Sequence, residues 1–238
     1  MIAGPLTMAS ATMEMLADIP VLQSLDPDIC KQLAESGTIM QCQPGEILFN
    51  YGDYLTGLYA LASGYVKLYR GSGERVQILA LLRKGDCLGT EALTNLAQSS
   101  YTAAALTPAE VLFLPAETMR QLMVDYPQVR VMILQLTTER LRQFATLVHN
   151  LAFRDVTARL AKLLVTRAED DGIMTVDGIR VPRLMTQSEL ATMVGTGREV
   201  VQRTFKKLQQ QQIIEVSRKE ILIRDLDKLR VIADEEAR

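Results

Sequence analysis

The chain has 238 residues, 48% hydrophobic, 23% charged and 5% aromatic, an ordinary globular composition that suits one large or two modest domains. Lys and Arg total 26 against 28 Asp and Glu, a net charge of −2, so the whole-chain balance marks no polyanionic partner and only local charge can. The longest apolar runs, such as 78–82, fall far below the ~18 residues of a membrane-spanning helix, and the first basic residue is Lys31, so no secretory start is visible and a soluble, cytoplasmic protein with no membrane partner is expected.

Residues 1–18 carry four Met without strand alternation and read either as a short helix or as a loose arm. From about Ile19 to Leu114, Gly and Pro recur every several residues. They enclose short β-branched, aromatic or apolar segments at 46–51, 57–62, 65–70, 76–82 and 111–114, the pattern of an antiparallel roll or barrel. From Pro115 to about Val165 there is no Gly, and Pro127 is the one further proline, while apolar residues recur at helical spacing; long helices follow the β region. Leu134, Thr137, Leu141, Phe144, Val148 and Leu151 alternate steps of three and four, the spacing of a coiled-coil seam. Ile133, Leu136 and Leu147 form a second apolar set elsewhere on the cylinder, so one helix can pack on its own β domain and on a copy of itself. Burial in a monomeric core is the competing reading. Residues 169–172 read as a polar break after a further helix, and Asp177-Gly178 between 173–176 and 179–181 as a hairpin.

Thr186-Gln187-Ser188-Glu189 has the form of a capping box, which starts a helix. That helix meets Gly195, and after Thr196-Gly197 a second one runs from Arg198 to Gln210, with Val200, Val201, Phe205 and Leu208 as its apolar face. Two short helices about a Gly-containing turn make a helix-turn-helix, and the β-rich segments 213–216 and 221–224 add a hairpin wing. Residues 181–224 hold eight basic and four acidic residues against 15 and 19 in residues 1–180, so the module is basic on an acidic carrier, as phosphate neutralisation requires. Arg198, Glu199, Gln202 and Arg203 open the second helix and can share one outward face. Arg forks match guanine O6 and N7, and a carboxylate accepts from cytosine N4, in a groove wide enough for a helix. An i,i+4 pair of Glu199 with Arg203 is the structural alternative. Thr186, Gln187, Ser188, Lys206, Arg218 and Lys219 are the expected phosphate contacts.

With these motifs in order, the chain resembles the CRP/FNR family of bacterial transcription regulators, the relatives of the cyclic-AMP receptor protein, from about Ile19 to Arg224. The run at 150–161 (NLAFRDVTARLA) is similar to the family's link into the DNA-binding domain, and 185–191 (MTQSELA) and 197–203 (GREVVQR) follow at the expected distances. The resemblance implies an α+β chain: a cyclic-nucleotide-binding-like β roll over 19–124, a dimerisation helix over 125–152 and a winged helix-turn-helix over 153–238. It implies a homodimer on double-stranded DNA, Arg198, Glu199 and Arg203 reading a TGTGA-like half-site, and RNA polymerase as a further partner.

The sensor departs from the family's pattern. In the cyclic-nucleotide pocket a Gly-Glu segment is followed about ten residues later by Arg-Ser, which holds the cyclic phosphate. Here Gly89-Thr90-Glu91 is followed by Ser99-Ser100, no Arg or Lys occurs between Lys84 and Arg120, and Phe144-Ala145 replaces the hydroxyl pair of the dimer helix. A buried phosphate without its guanidinium is poorly compensated, so cyclic AMP is not expected in the usual mode. The effector-pocket positions are Gly89, Glu91, Ser99, Ser100 and Phe144. An iron–sulfur cluster needs four thiolates, and Cys30, Cys42 and Cys87 are three, widely spaced and without CxxC. Haem ligation through His149, the single His, with Cys87 or a Met stays open, as does a redox role for Cys87, and no metal site is expected. Two other classes compete with a DNA-binding regulator. An enzyme would need a clustered acid, base or nucleophile, which the single His and scattered Cys do not offer; a protein-binding winged helix would need no basic balance.

Overall fold

The Gly- and Pro-punctuated half folds into two antiparallel sheets because its short apolar segments are interrupted before any can reach helical length. The computed structural model describes residues 7–17, 19–23, 25–72 and 75–235, which form two compact units, one of the described residues up to 72 with 79–143 and the other of 75–78 with 144–235.

In chain order the elements begin with β1 (Thr7–Ser10), α1 (Met13–Ala17) and α2 (Pro27–Ser36). Then come β2 (Thr38–Cys42), β3 (Ile47–Phe49), β4 (Gly57–Ser63), β5 (Val66–Ser72), β6 (Arg75–Leu82), β7 (Cys87–Leu88), a 3-10 turn at Thr90–Leu93, β8 (Thr102–Ala105) and β9 (Ala109–Pro115). One sheet runs β1-β2-β9-β4-β7 and the other β3-β8-β5-β6. Residues 1–18 had suggested a helix or an arm. The described part is a strand, Thr7 opposite Gln41 and Ser10 opposite Thr38, followed by the five-residue α1; residues 1–6 and 18 lie outside the described residues. β2, β7 and β8 were not foreseen either. β8 is Thr-Ala-Ala-Ala, with Thr102 its only β-branched residue, and becomes a strand because β3 and β5 flank it and bury every residue.

The helical half begins with α3 (Ala116–Asp125) and α4 (Pro127–Phe153). Leu33 of α2, Leu58 of β4, Leu112 and Leu114 of β9, Leu122 of α3 and Val129 of α4 are fully enclosed in one cluster, which also takes Met132 and Ile133. Ile133, of the second apolar set, is therefore core. The foreseen seam faces out: Leu134, Leu141 and Val148 are 66%, 68% and 65% exposed. Burial of the seam in the core of a single chain is thus not what the structure shows.

The second unit continues with α5 (Val156–Asp171), β10 (Ile173–Thr175), β11 (Gly178–Pro182), α6 (Gln187–Val194), α7 (Arg198–Gln210), β12 (Ile214–Val216), β13 (Glu220–Ile223) and α8 (Leu226–Asp234). Its sheet runs β10-β11-β13-β12, so the Asp177-Gly178 hairpin and the wing share one antiparallel layer, Val181 opposite Ile221. Leu160 and Leu164 of α5, Phe205 and Leu208 of α7, Ile214 and Leu229 are buried beneath it. Among the described residues no helix is long and apolar enough to cross a membrane.

Candidate nucleic-acid interface

α6 starts where its sequence dictates. Thr186 is extended, its Oγ1 accepts the Glu189 N–H at 3.2 Å, and the Glu189 carboxylate accepts the Thr186 N–H at 3.0 Å, so the reciprocal cap is formed. The helix ends at Gly195, whose φ of 68° and ψ of 51° are left-handed and place the Thr196 N–H on Ala191 O at 2.9 Å. Gly197 then caps α7 without a side chain: its carbonyl accepts the Val200 N–H at 3.1 Å, and no side-chain cap takes the N–H groups of Arg198 and Glu199 at the positive end of the helix dipole.

α7 sorts its residues by face. Val201, Thr204, Phe205 and Leu208 are buried, while Arg198, Glu199, Gln202, Arg203 and Lys206 are exposed in one stripe. Among the described residues Arg198, Glu199 and Arg203 make no ion pair and no side-chain hydrogen bond, so the alternative in which Glu199 and Arg203 serve only each other is not realised. Three ionic side chains held by a rigid helix with their capacity unspent can accept and donate to an external surface.

The wing supplies further cations. Ser217 makes a tight turn, its Oγ accepting the N–H of Glu220 at 3.0 Å and of Lys219 at 3.3 Å, which leaves Arg218 and Lys219 exposed at the tip. Arg224, counted with the basic set, is spent within the module: its Nη2 lies 2.8 Å from Glu215 Oε1. Arg183, also counted but given no role by sequence, donates to Ser217 O at 3.0 Å and braces the wing. A groove of about 550 Å³ is lined by Arg183, Thr186, Gln187, Ser188, Arg198 and Arg218, so the expected phosphate residues at the start of α6, the first expected base-reading residue of α7 and the wing converge on one concave, positively charged surface. Lys206 sits two turns along α7, outside that groove.

In the roll, the expected pocket positions differ in exposure and in partners. Gly89 is left-handed at φ 86° and opens the 3-10 turn, where an added Cβ would fall 2.8 Å from Gly57 O. Glu91 Oε2 is enclosed without a hydrogen-bond partner. Ser99 is buried, but its hydroxyl donates to Tyr101 O at 2.6 Å and accepts the Tyr101 N–H at 3.3 Å; Ser100 is exposed. Phe144 lies on α4, half-buried, in the second unit. Sequence reading missed Tyr101 and Arg140. The Tyr101 phenol is pushed above its usual range by burial and then by the Glu91 charge, with Arg140 pulling the other way, and Arg140 Nη2 donates to Cys87 O at 3.0 Å. Neither stands in a local motif; only the tertiary fold gathers them.

The thiols are free, with Cys42 and Cys87 buried and Cys30 half-buried. Burial, reinforced by Asp86, raises Cys87 to about 12, and burial, reinforced by Glu46, raises Cys42 to about 11. Both are protonated at neutral pH and poor nucleophiles. His149 is exposed on α4 with its ring 5.1 Å from that of Phe153. The described residues contain no group of three His, Cys, Asp or Glu placed to hold a metal ion.

Comparison with known proteins agrees with this architecture. The model of the cyclic nucleotide-binding domain matches residues 39–126, and that of the Crp-like helix-turn-helix domain matches residues 158–232. The chain is 31% identical to the global nitrogen regulator of Synechococcus elongatus over 78% of its own length and 85% of that protein's. It is 32% identical to the cAMP-activated global transcriptional regulator CRP of Pasteurella multocida over 74% of its length and 85% of that protein's. The fold matches that of FixK2 from Bradyrhizobium japonicum with a TM-score of 0.75 at 18% identity, covering 84% of this chain and 99% of that one. The chain therefore belongs to the CRP/FNR family of transcription regulators, with a cyclic-nucleotide-binding-like β domain, a long helix and a helix-turn-helix DNA-binding domain.

Proposed function

We propose that the protein is a homodimeric regulator that reads a palindromic TGTGA-like site in the major groove of double-stranded DNA, in the cytoplasm and in contact with RNA polymerase. The observation that carries this is the exposed, unpaired stripe of Arg198, Glu199, Gln202 and Arg203 at the front of α7. Arg198 and Arg203 have the bidentate donors that fit guanine, and Glu199 the acceptor that fits cytosine N4. Thr186, Gln187, Ser188, Lys206, Arg218 and Lys219 take phosphates and set the register. The seam of Leu134, Thr137, Leu141, Phe144, Val148 and Leu151 on α4 joins two chains, and its exposed leucines and valine are the apolar surface that pairing would remove from water. A two-fold pair of α7 helices then meets half-sites about 34 Å apart.

The sensor does not take cyclic AMP in the family's usual mode. The hydroxyl of Ser99 is consumed by the Tyr101 backbone, and the sequence has no cation between Lys84 and Arg120 to face a cyclic phosphate from that segment. The buried, protonated Cys87 disfavours the redox reading.

The test is fluorescence anisotropy on a TGTGA-type palindrome and on its base-scrambled duplex, with sedimentation to give the mass. A dimer that prefers the palindrome by at least ~10³-fold at physiological salt is expected. Cyclic AMP should leave that ratio unchanged. A monomer, or equal affinity for both duplexes, would overturn the reading.

A further inference from the structure

In the second unit, Arg159 on α5 makes three backbone contacts that no DNA-reading role explains. Its Nη1 donates to Arg154 O at 2.6 Å, in the two-residue break between α4 and α5. Its Nε donates to Val194 O at 2.7 Å, and Nη2 reaches Gly195 O at 3.5 Å. The last carbonyls of α6 have no intrahelical donors and carry the negative end of the helix dipole, so a guanidinium fork is the side chain best suited to gather them. Partial burial draws the Arg159 guanidinium below its usual value, with the Asp155 charge working in the opposite sense. A second observation lies at the same turn. A Cβ on Gly195 would fall 2.8 Å from Leu151 Cδ2, so the last residue of the α4 seam sits directly against the turn of the helix-turn-helix.

We infer that Arg159 is a positioning residue that fastens the helix-turn-helix to the end of the dimer helix and so sets the separation at which two reading helices are presented. The inference rests on the proposed dimeric reading of DNA. Without the fork, the module would keep the peptide at 154–155, the Leu151 contact, the Arg154–Asp234 ion pair at 3.7 Å and the Gln77 Nε2 donation to Met193 O at 3.0 Å, a looser set of tethers. Two rigidly held heads gain avidity only at one half-site spacing, whereas loosely tethered heads lose peak affinity and tolerate altered spacing.

The experiment compares the full chain with Arg159→Gln and Arg159→Lys on duplexes carrying the two half-sites at the preferred separation and with one or two base pairs inserted. For the wild type, affinity should fall about tenfold or more on insertion, and for Arg159→Gln the peak should drop about tenfold while the profile flattens. Arg159→Lys, which can satisfy one carbonyl well but not three, should lie between them. A purely structural role would lower the whole profile without changing its shape, and that result would overturn the inference. In parallel, amide exchange should accelerate about tenfold or more at 153–157 and 194–197 in Arg159→Gln, with 201–208 unchanged. Uniform acceleration, or none, would also overturn it. If the wild type shows no spacing preference, the palindromic reading fails, and the exchange pattern alone decides whether Arg159 fastens the module.

Discussion

The recognition helix and the interior of the β roll are built on opposite plans. In α7 the candidate residues lie within nine positions of one another, project to one side by helical geometry alone and keep their hydrogen-bonding capacity for an outside partner. In the roll, Glu91, Ser99, Tyr101 and Arg140 come from a 3-10 turn, a loop and a distant helix, and Ser99 and Arg140 are engaged by the protein's own backbone. A cluster on one helix is legible because sequence spacing is spatial spacing; one assembled from a turn, a loop and a distant helix is not.

The largest effect that bears on this contrast is on the scaffold of the reading face. Phe205 is buried on the inner side of α7, and Phe205→Ala should cost about 3–5 kcal/mol of the second unit's stability in a denaturant titration, abolishing DNA binding through unfolding. Next come the readers themselves. Arg198→Ala and Arg203→Ala should each cost about 1–3 kcal/mol on the cognate duplex and relax preference at one base pair. Lys219→Ala should instead weaken all sequences alike and reduce the salt slope by about one. Equal losses on cognate and random DNA from all three variants would show that α7 does not read bases. Smaller again is the cap: Thr186→Ala removes the side chain that takes the Glu189 N–H and should lower stability by about 1 kcal/mol, read as a shift in melting temperature.

The smallest effect concerns the roll. Cys87 at about 12 should resist iodoacetamide at pH 8 in the folded protein and react only after denaturation, with the half-buried Cys30 labelled first. The sign of its pH linkage follows. The folded state holds the thiol proton more tightly than the unfolded chain, with its ordinary value near 8.5, so this contribution to stability is complete below about pH 8.5 and is lost as pH rises towards 12. Rapid labelling of native Cys87 would return the redox reading to contention.

Particular residues show how far the sequence carried. The box Thr186 to Glu189, the Gly195 turn and the wing are local hydrogen-bond and backbone requirements written in consecutive positions, and each forms as expected. The Leu134 and Leu141 seam was legible as a period, but its outward direction was not, since period is silent on which stripe meets the core. β8 escaped notice because Ala carries no strand signal of its own, and Arg159 because its partners at Val194 and Gly195 lie over thirty residues away.

By itself, the sequence determined the order of the modules, the starts of α6 and α7 and the polar stripe of Arg198, Glu199, Gln202 and Arg203 along α7, because those rest on interactions between residues a few positions apart. Only the tertiary structure decided which face of α4 stays open, that Arg224 is spent on Glu215 while Arg198 is free, and that Ser99 serves its own backbone. These outcomes depend on which distant groups arrive within hydrogen-bonding reach, and a linear pattern of residue types does not encode that distance.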